Sequence, residues 1–236
     1  MKTSNRLAAG CLAAALVCAA RTAAFGYITM SSHEGPPGLS SYTSPIFPDY
    51  AKSRGIAKGT ALIAVLWDDQ GRAADVVVLS TSFPSFGEAA QESAKQWRRP
   101  SGKAGVQTYN LNFELGGVIV VTGKMMTDYA AEVRAERPPR AALPEELDAE
   151  PKALTQPMPT VSAEVMAKYQ TGRVVVEYFI DEDGRVRAPS IMHATSDEFA
   201  QAALAAMAQW RYETPRRNGL SVVTSMRYAF DFKVRN

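Results

Sequence analysis

Two stretches, WDDQGRA (Trp67–Ala73) and IDEDGRV (Ile180–Val186), decide the fold of this chain, because each ends an alternating apolar strand with acidic residues and a glycine. They lie 113 residues apart. The same offset relates three further pairs: Gly59 and Gly172, Phe86 and Phe199, and Trp97 and Trp210. One offset shared over so much of the chain indicates a duplicated domain.

Each copy shows the same succession of periodic segments. A strand precedes the acidic turn and a second strand follows it, as in a hairpin. A helix then carries an apolar stripe, and a last strand alternates apolar and polar residues. The stripes are Phe86, Ala90, Ala94 and Trp97 in the first copy and Phe199, Ala203, Met207 and Trp210 in the second. With a short helix in front, each copy is predicted to be α-β-β-α-β. This is an α+β fold in which a three-stranded antiparallel sheet carries two helices on one face.

The three carboxylates of the second stretch, Asp181 to Asp183, raise two alternatives to a turn. A calcium loop needs a glutamate at its twelfth position, where this chain has Met192. An acid/base pair needs a carboxyl group that is shielded from water, whereas a hairpin tip should be exposed. We therefore predict a turn, with no catalytic residue, metal or cofactor. Pro189 predicts that the strand after the turn lies at a sheet edge.

The N-terminus has the pattern of an export signal. Lys2 and Arg6 precede the apolar run Leu7–Ala20, which is typical of a signal peptide and short for a membrane span. Both cysteines lie in this leader. The predicted organisation is a signal peptide or short anchor (1–24), a flexible tether (25–44), a first domain (45–123), a helical and then Pro/acid-rich linker (124–156), and a second domain (157–236).

Charge and motifs exclude several classes of function. The net charge is +2, from 26 basic and 24 acidic residues, which does not favour a nucleic-acid partner. No phosphate-binding loop or nucleophile elbow occurs, so we predict neither an enzyme nor a small-molecule substrate.

Each copy carries a set of residues whose types, order and spacing form a recognisable pattern. In the first copy they are Pro45, Phe47, Pro48, Gly59, Asp68, Gly71, Ser82, Ala89, Ala90, Trp97 and Arg98. In the second they are Gly172, Asp181, Gly184, Ser196, Ala202, Ala203, Trp210, Arg211, Tyr212 and Pro215. With these residues, both copies resemble the C-terminal domain of the TonB energy-transducer family. The resemblance implies a periplasmic protein of a Gram-negative bacterium. Its last strand would capture a segment of an outer-membrane receptor, or of another envelope protein, by strand addition.

The candidate partner-binding residues lie on the last strand of each copy. They are Ser225, Met226, Arg227, Tyr228, Ala229, Phe230 and Asp231 in the second copy and Tyr109, Asn110, Leu111 and Asn112 in the first. The segment IVVTG resembles the receptor segment that the family captures. We therefore expect the surrounding residues Val118, Ile119, Val120, Val121 and Thr122 to cap the first copy's own edge.

Two alternatives to this interpretation stay open. One is a scaffold that forms a homodimer through its sheet edges. The other is an energy transducer that an uncleaved leader anchors in the inner membrane. Peptidoglycan is a further candidate partner, because Arg98–Arg99 and Arg216–Arg217 follow the two tryptophans.

Overall fold

The computed structural model of this chain describes residues 35–115, 117–123 and 140–233. The first copy consists of α1 (Asp49–Ser53), β1 (Lys58–Trp67), β2 (Ala73–Thr81), α2 (Pro84–Ala94), β3 (Gly105–Glu114) and β4 (Gly117–Gly123). The linker contributes β5 (Ala141–Ala142), a 3₁₀ turn (Pro144–Glu146) and β6 (Ala153–Thr155). The second copy consists of α3 (Ala163–Tyr169), β7 (Thr171–Ile180), β8 (Val186–Ala194), α4 (Asp197–Met207), β9 (Arg211–Tyr212), β10 (Arg216–Arg217), β11 (Leu220–Ser221) and β12 (Val223–Lys233).

The predicted α+β fold with small antiparallel sheets is confirmed. Each sheet has a fourth strand beside the three of the predicted unit: β4 in the first copy, where a capping segment was expected, and β5 in the second, where none was expected. The strand order is β2-β1-β3-β4 in the first copy and β5-β12-β7-β8 in the second. The fourth strand is added at the same edge in both copies, beside the last predicted strand. Pro189 lies on β8 at the opposite edge, as its missing N–H requires.

The apolar stripes of the two long helices form the centre of each core. All eight stripe residues predicted from the sequence are fully buried. The indole N–H groups of Trp97 and Trp210 donate to the main-chain oxygens of Thr43 and Pro157, each at 2.9 Å. Each tryptophan therefore fixes the chain segment that leads into its own copy.

The two acidic stretches form the predicted hairpin turns. In the second copy the N–H of Gly184 donates to Asp181 O at 2.9 Å. Gly184 has φ +76°, and a Cβ there would lie 2.0 Å from the main-chain oxygen of Tyr212. Only glycine fits this backbone. The expectation of an exposed tip is wrong for Asp181, whose side chain is 13% exposed because the N–H groups of Asp183 and Arg185 cap its carboxylate.

The two sheets pack against each other through the faces that carry no helix. Seven buried residues form this contact: Leu62, Ala64, Val77 and Leu79 from the first copy and Phe179, Ala188 and Val223 from the second. At its margin the carboxylate of Asp75 pairs with Arg187 and accepts the N–H of Ala188 at 3.0 Å. Ala188 has φ +45°, a conformation that costs free energy for a residue with a Cβ. The predicted wet sheet face is therefore partly an interface between the copies.

The predicted tether and linker are held against the copies wherever the structure describes them. Residues 35–44 lie along the first copy, and Ser40 N–H donates to Arg98 O at 2.8 Å. The linker pairs with the second copy through β5 and β6. Asp148 also accepts the N–H groups of Asn218 and Gly219 at 2.7 and 2.8 Å. Main-chain hydrogen bonds hold both segments in place where the structure describes them. The predicted leader and linker helix lie outside the described residues.

Across the described residues, no helix has the length and apolar character needed to cross a membrane.

Candidate partner-binding edge

The candidate edge of the second copy is β12, which forms because its apolar residues alternate. Phe230 and Phe232 are buried against the helices, whereas Arg227, Ala229 and Asp231 are exposed on the other face. On one side β12 pairs with β7 along ten residues without a register shift. On its other side β12 pairs only with the two-residue strand β5, within the described residues.

The direction of the main-chain groups on β12 follows from one hydrogen bond. Val223 N–H donates to Arg140 O at 2.5 Å, so the polar groups of Val223 point away from β7. In a regular strand this direction alternates. The N–H and C=O groups of every second residue therefore point to the outer side. These residues are Ser225, Arg227, Ala229, Asp231 and Lys233.

The linker covers only the beginning of this edge. β5 runs parallel to β12 and pairs Ala141 with Val223 and Ala142 with Thr224. The hydroxyl group of Thr224 adds a hydrogen bond to Ala142 O at 2.9 Å. Just before β5, the guanidinium of Arg140 pairs with Glu182 in the β7–β8 turn. Within the described residues no strand pairs with the outer side of 225–233.

The first copy differs because β4 lies along its edge. β4 is antiparallel to β3 and pairs with every residue from Thr108 to Glu114. The sequence-predicted site residues of this copy, Tyr109 to Asn112, are thus covered by the segment 118–122 that was expected to cap them. The outermost strand of this sheet is β4 itself.

The two edges correspond to each other residue by residue. Ala61 pairs with Leu111 in the first copy, and its repeat partner Val174 pairs with Phe230 in the second. The last strands are therefore related by an offset of 119 residues and not 113, because six residues are added around the β10–β11 hairpin. By this correspondence, the stretch of β3 that β4 covers is equivalent to 227–233 of β12. Among residues 35–115, 117–123 and 140–233, none occupies the position on the second copy that corresponds to β4.

Ion pairs cross the exposed face of the second sheet. Arg227 Nη2 lies 2.8 Å from Glu177 Oε1, and Arg173 Nη1 lies 3.5 Å from Asp231 Oδ1. The side chains of Arg227 and Asp231 are 62% and 54% exposed, so their outer sides are available to a neighbouring strand. An added strand would meet a basic and an acidic position separated by Ala229.

The sequence predicted β12, but it did not reveal the groups at the two ends of its open stretch. Arg140 to Ala142 carry no strand periodicity, and a two-residue bridge leaves no pattern to detect. Lys233 was also left out of the candidate set, although its main-chain groups end the outer row.

A cavity of about 570 Å³ lies between the two copies, beside β8 and α4. Its wall combines apolar side chains, such as Leu66, Ile191 and Leu204, with Asp68, Lys103 and Asp197. In the described part of the chain, no three His, Cys, Asp or Glu side chains come together so that they could hold a metal ion.

The fold defines a class of protein: a tandem of small α+β modules, each with a four-stranded sheet that carries its long helix on one face. The model of the family described as the Gram-negative bacterial TonB protein C-terminal matches residues 43–115 and 158–234. These segments make up more than half of the chain, which therefore belongs to this family. The predicted resemblance, in two tandem copies, is confirmed.

Two known proteins show the extent of the similarity. Protein TonB of Yersinia enterocolitica is 41% identical over 64 residues, which are 27% of this chain and 25% of that protein. The chain thus matches about a quarter of the length of this curated relative. The solution NMR structure of the Pseudomonas aeruginosa TonB C-terminal domain is 28% identical, with a TM-score of 0.29. That match covers 38% of this chain and 93% of the solved one.

Proposed function

We propose that this chain is an exported periplasmic protein that binds an extended segment of an envelope protein along β12. A segment of an outer-membrane receptor is the proposed partner, in TonB-dependent transport. The leader Leu7–Ala20 supports export, and membership of the TonB C-terminal family supports the partner class.

The observation that carries the proposal is the difference between the two edges. On the first copy β4 occupies the outer side of β3, whereas on the second copy the outer side of 225–233 has no partner strand within the described residues. Five residues there direct N–H and C=O groups outward, and an added strand would satisfy them. Affinity would come from this ladder, and specificity from the side chains beside Arg227 and Asp231.

Removal of one outward N–H tests the proposal. Ala229 is exposed and its N–H points outward, so proline should be tolerated there while it interrupts an added ladder. Ala229→Val is the matched control, because it adds bulk and keeps the N–H. The probe is a fluorescently labelled peptide with the β4 sequence GVIVVTG, which pairs with the equivalent strand of the first copy.

Wild type and Ala229→Val should bind this peptide, and Ala229→Pro should not. Peptides from the periplasmic N-terminal segments of outer-membrane receptors should compete with it. Equal binding by wild type and Ala229→Pro would place the contact elsewhere and end the proposal.

Export is tested separately by N-terminal sequencing of the protein recovered from the periplasm. Cleavage after Ala20 or Ala24 would give Arg21 or Phe25 as the first residue. A membrane-bound protein that still begins at Met1 would support the anchored transducer instead.

A further inference from the structure

We propose that the cavity between the two copies binds a short apolar peptide, which pairs with the outer edge of β8 and places its two charged ends at Lys103 and Asp197. The cavity has a volume of about 570 Å³ and lies beside β8 and α4. Pockets for small ligands have volumes of about 300–1,000 Å³ and occur preferentially at domain interfaces. The site is separate from β12 and does not depend on the proposed function.

Three parts of the chain line the cavity. β8 contributes the consecutive residues 189–194, α4 contributes Leu204, and the first copy contributes Leu66 and Ala104. Alternate residues of a strand point to opposite faces of the sheet, so a lining of six consecutive residues means that the cavity follows the edge of β8. The side chains of Leu66, Ile191 and Leu204 make its wall apolar. The cavity therefore favours an extended chain with apolar side chains.

The edge of β8 offers main-chain groups to such a chain. Among the described residues β8 is the outermost strand of its sheet. Thr195 N–H donates to Arg173 O on β7 at 2.9 Å, so by alternation the main-chain groups of Ala194 point away from β7. Met192 has no opposite residue on β7, because the register shifts beside it. A bulged residue of this kind is left unpaired by the neighbouring strand. An extended peptide would satisfy these groups.

The open part of this edge is short. Ala188 N–H already donates to Asp75 of the first copy at 3.0 Å, and Pro189 has no N–H. The usable edge therefore runs from Ser190 to Ala194, a length of roughly 13 Å in an extended strand. A peptide of about four residues spans this distance.

Two charges at the cavity complement the ends of a free peptide. Lys103 and Asp197 line the cavity and are exposed, and neither forms an ion pair in the part of the chain that the structure describes. Asp68 also lines the cavity, but Arg72 Nε already lies 2.7 Å from its carboxylate. A peptide with unmodified ends brings one carboxylate for Lys103 and one ammonium for Asp197.

The positions of both charges are set by the fold. Arg99 Nη2 donates to Lys103 O at 2.5 Å, and the Arg99 guanidinium lies over the ring of Trp67, 5.4 Å from its centroid. Asp197 is the first residue of α4 and follows Ala194 by three residues. Asp197 therefore lies near the last residue of the open edge. A peptide whose ammonium meets Asp197 runs antiparallel to β8.

Isothermal titration calorimetry of the full chain with the tetrapeptide VLAL tests this site. The free peptide should bind to wild type, and its C-terminal amide should bind roughly tenfold more weakly because it lacks the carboxylate. Lys103→Met should bind both forms equally and weakly. Lys95→Met is the matched control, since Lys95 lies at the end of α2 in the same copy and does not line the cavity. It should distinguish the two forms as wild type does.

The ammonium and the strand edge are tested with the same peptide. N-acetylation should weaken binding to wild type by a similar factor but should not change binding to Asp197→Asn. Ala194→Pro removes an outward N–H and should abolish binding, whereas Ala194→Val keeps the N–H and should bind. Urea midpoints show whether each variant is folded.

The inference is overturned if wild type does not bind VLAL, or if the free peptide and its amide bind equally well. It is also overturned if Lys103→Met still distinguishes the two forms by the wild-type factor. Ala229→Pro changes only the edge of β12, so it should bind VLAL like wild type. This site and the proposed function can therefore fail separately.

Discussion

Asp75 on β2 of the first copy holds Arg187 on β8 of the second in a two-pronged contact. Nη2 lies 2.5 Å from Oδ1 and Nε lies 3.0 Å from Oδ2. The third guanidinium nitrogen, Nη1, lies 3.5 Å from Asp181 Oδ2. The side chains of Asp75 and Arg187 are 25% and 29% exposed, so water screens the charges only in part. These hydrogen bonds raise the pKa of Arg187, with Asp75 as the larger cause.

A double-mutant cycle measures how strongly this contact joins the copies. Asp75→Ala and Arg187→Met should show a coupling energy of about 1 to 3 kcal/mol in urea unfolding, because each single change leaves a half-buried charge without its partner. Arg227→Met with Glu177→Ala is a suitable comparison, since Arg227 is well exposed, and it should couple by less than about 1 kcal/mol. Equal couplings would mean that the contact between the copies is as solvent-exposed as an ordinary surface pair.

The turn glycine of the second copy should not tolerate a side chain. Gly184→Ala adds a Cβ that would lie 2.0 Å from Tyr212 O, and it should lower the free energy of unfolding by about 3 kcal/mol or more. Gly219→Ala is the matched control. Gly219 has φ +75° but no atom within 4 Å of the added Cβ, so only backbone strain of about 1 kcal/mol is expected. Similar losses for the two variants in urea titrations would show that the turn can move away from Tyr212.

Alkaline unfolding should depend on Tyr109. Burial raises the pKa of Tyr109 from 10.0 to about 12, while its hydroxyl group donates to Gln107 at 3.0 Å. A pKa that is higher in the folded state favours the protonated form. The stability that Tyr109 contributes is therefore complete below pH 10 and is lost as the pH rises from 10 to 12.

Tyr109→Phe tests this pH dependence. Between pH 9 and 12 the wild type should lose roughly 2 to 3 kcal/mol more than the variant, as the shift in pKa implies. Denaturant midpoints at several pH values give both curves. Parallel curves would show that Tyr109 does not titrate through the folded state in this range.

Release of β4 should open the edge of the first copy. Leu115 N–H donates to Ala57 O, so by alternation the main-chain groups of Asn110 face β4. Its directly opposed residue, Val121, therefore points its N–H toward β3, whereas the N–H of Val120 points away. Val121→Pro should weaken the β3–β4 ladder, and Val120→Pro should leave it intact.

All variants in this test also carry Ala229→Pro, so that β12 of the second copy cannot bind the peptide. The double variant with Val121→Pro should regain binding of the GVIVVTG peptide in fluorescence anisotropy, and the one with Val120→Pro should not. Binding by neither variant would show that β3 does not accept this strand in trans.

The repeated elements were predictable because they are periodic. The stripes that end in Trp97 and Trp210, and the glycine turns at 71 and 184, recur at a fixed spacing, and both were found where the sequence placed them. The fixed spacing also concealed a difference. The second copy has six extra residues before β12, so the offset of 113 does not hold for the last strands. The equivalence of Leu111 and Phe230 is seen only in the strand pairing.

The contact between the copies has a signal in the sequence of β1. Ala61 to Trp67 is apolar at every position, as expected of a strand buried on both faces. Alternation on β12 suggested one wet face, and Leu62 and Ala64 were given no partner. The docking of β5 has no comparable signal, because two residues cannot establish a period.

The duplication is not symmetric where the sheets meet. At the repeat offset, Asp75 corresponds to Ala188 and Arg187 corresponds to Ala74, so exchange of the copies would leave two alanines where the ion pair stands. Each copy has acquired a face that only the other can cover: Leu62, Ala64 and Leu79 on one side, Phe179 and Val223 on the other. The two copies therefore form one folding unit. A chain that kept only one copy would expose the apolar, helix-free face of its sheet to water.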